Sequence, residues 1–206
     1  MKFYLSSYRL GNKPKQLKSL VTINNKAAYI PNALDWRKTI DDLERRQKHE
    51  QRDMNDVRAL GFQVELLDLR NYFNKPKQLE TKLKTVGLIW VSGGNTFVLR
   101  QAMKLSGFDT LLTKLLDTNL VYAGYSAGIC ILAPSLHGLE IVDDPKQNPY
   151  KTKIVWEGLN LLPYLILPHY QSDHPESKDM DKEVEYCIEN KILFKTLKDG
   201  EVIIIG

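Results

Sequence analysis

The chain is short of most of the features that would assign it to a specialised class. It has only two cysteines, Cys130 and Cys187, both set in apolar stretches. Two such thiols supply neither a disulfide framework nor a four-ligand metal site. No apolar run approaches the roughly 18 residues that a membrane-spanning helix needs. The first residues, Met1-Lys2-Phe3-Tyr4-Leu5-Ser6-Ser7-Tyr8-Arg9, lack the long apolar core of a signal peptide. A cytoplasmic location is the resulting expectation, with no membrane partner. There is no internal repeat, low-complexity tract or linker, so residues 1–206 read as a single domain. The chain also lacks G-x-G-x-x-G and P-loop patterns, which argues against nucleotide binding. No spacing of histidines and carboxylates resembles a metal-ligand set, so no metal or other cofactor is expected.

Charge of one sign is also scarce. The 29 basic residues are nearly cancelled by 25 acidic ones, leaving a formal net charge of +4. The basic residues are dispersed and interleaved with acids, as in Asp41-Asp42-Leu43-Glu44-Arg45-Arg46. A nucleic-acid footprint would cluster on one surface, so no nucleic-acid partner is expected.

What is present is an alternation of apolar runs and amphipathic stretches. Phe3–Leu5, Lys26–Ile30, Phe62–Leu67, Gly87–Val91, Leu120–Gly124, Tyr164–Leu167 and Glu201–Ile205 read as strands. Between them, helices are predicted from about Asp35 to Leu60, over Pro76–Leu83, Thr96–Leu105 and Gly107–Leu116, and from Pro175 to Asn190. The long helix would turn Ile40, Leu43, Met54 and Val57 to its apolar side. Such alternation predicts an α/β fold, a three-layer sandwich with a mostly parallel central sheet. The segment from Pro134 to Leu162 is irregular.

Three sites on this frame carry chemistry. Gly124-Tyr125-Ser126-Ala127-Gly128 fits G-x-S-x-G at a strand-to-helix junction, where small neighbours let a strained turn lift Ser126 clear of the sheet. The helix opening at Ala127 would aim free N–H groups at an anion formed beside Ser126. Ser92-Gly93-Gly94-Asn95-Thr96 follows a central strand, so Gly93, Gly94 and Asn95 are candidates for further oxyanion donors. The bland alternative for Asn95 or Thr96 is a helix cap. His169 lies just past the strand Tyr164–Leu167, and His174 is the reserve. His49 and His137 read as bystanders. A triad needs an acid to orient the imidazole; Glu140, the nearest to Ser126, is favoured, with Asp143 and Asp144 left open. Cys130, four residues past Ser126 among Ile129, Ile131 and Leu132, reads as packing, as does Cys187.

Together, Val91-Ser92-Gly93-Gly94-Asn95-Thr96-Phe97, Gly124-Tyr125-Ser126-Ala127-Gly128 and Leu167-Pro168-His169-Tyr170 resemble the peptidase E (aspartyl dipeptidase) family of serine peptidases. The resemblance extends over nearly the whole chain. It implies a class I glutamine amidotransferase-like, flavodoxin-like fold, with Ser126 as nucleophile and His169 as base. It further implies an oxyanion hole from the Gly93-Gly94 loop and the Ala127 amide, an acid in the loop after the elbow helix, a small-peptide substrate and pairing into a homodimer. Two departures stand out. The arginine that best-known members use for an amino-terminal aspartate falls at about Glu183, which would repel that side chain. Relatives also usually continue past Gly206. Other readings of the same motifs are a non-peptide amide or ester hydrolase and a non-catalytic binding module.

Overall fold

The computed structural model describes residues 1–37 and 39–206. In chain order its elements are β1 (Lys2–Ser6), α1 (Pro14–Leu20), β2 (Lys26–Ile30), α2 (Ile40–Ala59), β3 (Gln63–Leu66), α3 (Pro76–Leu83), β4 (Leu88–Val91), α4 (Thr96–Ser106), α5 (Phe108–Lys114), β5 (Val121–Tyr125), α6 (Ala127–Cys130), β6 (Leu165–Leu167), α7 (Ser177–Glu189), β7 (Phe194–Thr196) and β8 (Val202–Ile205). Six strands form one sheet in the order β3-β2-β4-β5-β1-β8. All its pairings are parallel except β8 on β1, which is antiparallel.

Alternation along the strands divides the core into two layers. Phe3, Leu5, Ala28, Ile30, Ile89, Val91 and Tyr122 enter one apolar cluster, which α4, α5 and α6 cover. Tyr4, Tyr29, Leu88, Trp90, Val121 and Tyr125 enter the other, closed by Leu17 of α1 and Val57 of α2. Helices therefore cover both faces, as a mostly parallel sheet requires. No helix among the described residues is long and apolar enough to cross a membrane.

Three differences from the sequence reading have physical causes. First, α2 starts at Ile40, where Thr39 accepts from the Asp42 N–H and the Asp42 side chain accepts from the Thr39 N–H, a reciprocal capping box. Asp35 to Arg37 precede it, and residue 38 lies outside the described residues. Ile40 and Leu43 are exposed at 78% and 52% and contribute no apolar side; Met54 and Val57 do. Second, β6 does not join the main sheet but pairs in parallel with β7, which sequence reasoning passed over. Third, Pro14–Leu20 forms a helix that the sequence pattern does not predict; its Leu17 is fully buried.

Candidate active site

The parallel register Val91↔Gly124 brings the carboxyl ends of β4 and β5 side by side. Glycine spacing then sets the turn after β5. A Cβ on Gly124 would come within 2.8 Å of the Val91 carbonyl oxygen, and one on Gly128 within 2.6 Å. Only glycine at both positions lets α6 start against β4. Ser126, held between them, adopts φ 50°, ψ −121°, a conformation that costs a non-glycine residue of order 1–3 kcal/mol. Ser126 Oγ makes no hydrogen bond among the described residues and lines a cavity of about 410 Å³.

The preceding residue is anchored firmly. The Tyr125 hydroxyl donates to Asp53 Oδ2 at 2.7 Å and lies 2.6 Å from His49 Nε2. Arg52 pairs with the same buried Asp53 at 2.7 Å. These hydrogen bonds and positive charges hold the Asp53 carboxyl below the usual carboxylate range despite its burial. His49, expected to be a bystander on an exposed helix, is thus tied to the elbow and lines the cavity.

The loop after β4 closes over the serine. A Cβ on Gly93 would meet the Tyr125 ring at 2.7 Å and Ser126 Cβ at 3.1 Å. Gly94 has φ 139° and abuts the Ala33 carbonyl. Among the described residues neither glycine N–H has a backbone acceptor, and both residues line the cavity. Asn95 differs from its expected role as an oxyanion donor. Its N–H donates to the Ala33 carbonyl at 2.9 Å, its Oδ1 caps α4 through Val98 N–H, and its Nδ2 donates to the Asp144 carbonyl at 3.0 Å. Ala127 N–H stands at the first position of α6, where no intrahelical acceptor exists.

His169, also at positive φ (60°), follows β6 and is 1% exposed. Its Nδ1 lies 2.7 Å from Asp199 Oδ1. Ser7, just past β1, donates its hydroxyl to the same oxygen at 2.9 Å and accepts the His169 N–H at 2.8 Å. The acid on the histidine is therefore Asp199, not Glu140. Glu140 Oε2 accepts from the Gly138 N–H at 2.6 Å, Asp143 Oδ2 from the Thr96 N–H at 2.8 Å, and Asp144 Oδ1 from the Lys146 N–H at 2.9 Å. Glu140 and Asp144 are thus occupied by backbone two residues away, and Asp143 by the first turn of α4. The antiparallel return of β8 along β1 brings Asp199 to the site. The sequence signal was an acidic turn, Lys198-Asp199-Gly200, just before the last strand.

The remaining face of His169 is covered by His174, stacked at 3.7 Å between ring centroids. Burial, then the nearby His174, lower the His169 pKa, opposed by Asp199. The imidazole is thus disposed to be neutral near pH 7, as a proton acceptor must be. Its Nε2 lies 3.8 Å from Glu176 Oε2, and among the described residues no hydrogen bond joins it to Ser126. His169 and Ser126 nevertheless line one cavity. Among the described residues, ligand atoms of His169, His174 and Glu176 lie within 4.8 Å of one another, the trio best placed to hold a cation. His137 stacks on Trp156 away from this cavity. Cys130 is buried with its thiol pushed well up by burial, and it donates to the Ile166 carbonyl.

Residues 7–206 match the model of peptidase family S51. An uncharacterised peptidase of Listeria monocytogenes is 34% identical over 116 residues, covering 56% of this chain and 55% of the relative. Peptidase E of Streptomyces coelicolor is 32% identical over 127 residues, covering 58% of this chain and 49% of the relative. The matched stretch spans about half the length of these curated relatives. A crystal structure of a candidate peptidase E protein from Listeria monocytogenes superposes with a TM-score of 0.76 at 26% identity, covering 99% of this chain and 93% of that one.

Proposed function

Because the chain belongs to peptidase family S51, we propose that it is a cytoplasmic serine peptidase that hydrolyses small peptides, with Ser126 as nucleophile. The observation that carries this reading is the strained, cavity-facing Ser126 sharing its cavity with a buried His169 that is paired to a partly exposed Asp199. In this reading the turn at Ser126 is a nucleophile elbow. Asp199 accepts from His169 Nδ1–H, which fixes the tautomer and leaves Nε2 free to take a proton. Ser126 Oγ attacks the peptide carbonyl while His169 Nε2 accepts its proton. The carbonyl oxygen becomes an oxyanion, received by the N–H groups of Gly93, Gly94 and Ala127. Each well-aimed donor stabilises that charge by roughly 3 kcal/mol. Collapse expels the amine, protonated by His169, and leaves an acyl-Ser126 ester that water hydrolyses.

In this reading the Nε2–Ser126 hydrogen bond forms in the substrate complex. Catalytic hydrogen bonds commonly tighten only in the substrate complex. The test is a dipeptide panel assayed with wild type and Ser126→Ala, combined with fluorophosphonate labelling mapped by mass spectrometry. The expected result is a single adduct on Ser126 and a loss of at least 10³-fold in kcat/KM in the variant. Activity that survives Ser126→Ala would refute the reading.

A further inference from the structure

A second, much smaller chamber adjoins the cavity and shares Ser126, Val142, Asp143 and Glu176 with it. Its volume is about 20 Å³, room for one water-sized group. Glu183 of α7 also lines it. Among the described residues no lysine, arginine or histidine does.

The three carboxyls are unequally satisfied. Asp143 accepts from the Thr96 N–H, and Glu176 lies within 3.8 Å of His169. Glu183 is 2% exposed, and its Oε2 has no hydrogen-bond partner. A buried carboxylate oxygen left unpartnered is costly to the fold. Burial, reinforced by Asp143 and Glu176, pushes this carboxyl up to about 9. On the same face of α7, Met180 and Cys187 are buried with it.

The chamber therefore offers oxygen acceptors, no cationic partner, and space for one small group. An ammonium fits these terms: it is water-sized and all donor, and its charge favours ionisation of the carboxyl that holds a proton in the empty chamber. We propose that the chamber is a subsite for a primary ammonium group of the substrate, held by Glu183, Asp143 and Glu176 beside the Ser126 hydroxyl. The assignment rests on the peptidase reading above. The ammonium has two sources in a peptide, the α-amino group of its first residue and the side chain of a lysine. A carboxylate side chain is repelled there.

The test compares Lys-Ala with norleucyl-alanine, and each with its N-acetyl form, on wild type and Glu183→Gln. If the side chain supplies the ammonium, wild type prefers Lys-Ala over norleucyl-alanine by at least tenfold in kcat/KM. If the α-amino group supplies it, the free peptides outrun the acetylated ones by a similar factor. In either case the preference falls to within threefold in Glu183→Gln. Absence of both preferences in wild type, or their persistence in Glu183→Gln, overturns the proposal.

Failure of the peptidase reading shows separately, as an unlabelled Ser126 and no turnover of any peptide. The chamber is then tested by calorimetry with n-butylammonium chloride, which needs no turnover. Binding to wild type that weakens at least tenfold in Glu183→Gln supports the subsite, whereas absent or unchanged binding overturns it. Should Glu183→Gln fail to fold, Asp143→Asn takes its place with the same readouts.

Discussion

Replacing Glu183 by glutamine should make the protein more stable, and increasingly so as the pH rises. The Glu183 carboxyl is raised from 4.5 to about 9 in the folded state. Between those values the folded chain keeps a proton that the unfolded chain has released. The folded state thus binds more protons, so stability falls as pH increases through that window. The slope is at most about 1.4 kcal/mol per pH unit for one retained proton. From pH 5 to pH 7 the wild type should lose up to about 3 kcal/mol at this position. Glutamine keeps the shape, carries no titrating proton and escapes the loss. The two proteins should differ by less than about 1 kcal/mol at pH 5 and by about 2–3 kcal/mol at pH 7, the variant being more stable. Urea unfolding followed by tryptophan fluorescence at pH 5, 6 and 7 reads this directly. A difference that stays constant within about 0.5 kcal/mol across that range would refute the reasoning, since Glu183 would then ionise equally in both states.

Asp199→Asn should lower kcat by roughly 10²–10⁴-fold, because the wrong group would then face Nδ1, while Glu140→Gln should change it by less than about threefold; steady-state kinetics showing the reverse would reassign the acid. The acid limb of kcat/KM, measured on norleucyl-alanine so that no side-chain ammonium contributes, should fall below pH 6.5, because the lowered His169 pKa keeps the base neutral until then. An inflection above 6.5 would contradict the burial argument. Gly94→Ala should destabilise the chain by about 2–4 kcal/mol in urea unfolding, through a positive φ and a Cβ that would sit 2.5 Å from the Ala33 carbonyl oxygen. A loss under about 0.5 kcal/mol would mean that the loop moves aside.

Which parts of this architecture can be read from sequence depends on how local their causes are. β4 reads as a central strand because Leu88-Ile89-Trp90-Val91 is buried on both faces and hence continuously apolar. The elbow reads because its glycines answer a contact made at fixed spacing, Gly124 and Gly128 both against Val91. The partner of β6 is not local. Leu165-Ile166-Leu167 is as apolar as a main-sheet strand, and nothing in it tells that it pairs with Phe194-Lys195-Thr196. β7 itself has three residues, only partly buried, too few for a periodicity. The acid beside His169 fails for the same reason. Proximity along the chain favours Glu140, but the choice is made by β8, whose pairing with β1 delivers Asp199 to Ser7 and His169 at once.

Three features that local rules disfavour meet at the carboxyl end of the sheet. Ser126 and His169 both hold positive φ there, and Glu183 buries an unpartnered oxygen. The other non-glycine residues with positive φ line neither chamber. Each departure is held in place by well-satisfied neighbours. Tyr125 is fixed through Asp53 on one side of the serine, while Gly128 is packed on β4 at the other. Ser7 accepts the His169 N–H and donates to the Asp199 carboxylate that faces the ring. Strain persists only where the surroundings over-determine it. Local departures of this kind are expected where a fold has been shaped for binding and chemistry rather than for its own stability. The buried carboxyl belongs to the same group: its cost to the free protein becomes attraction once a cation arrives. Stabilising Glu183→Gln and weakening its hold on ammonium should therefore be two readings of one interaction.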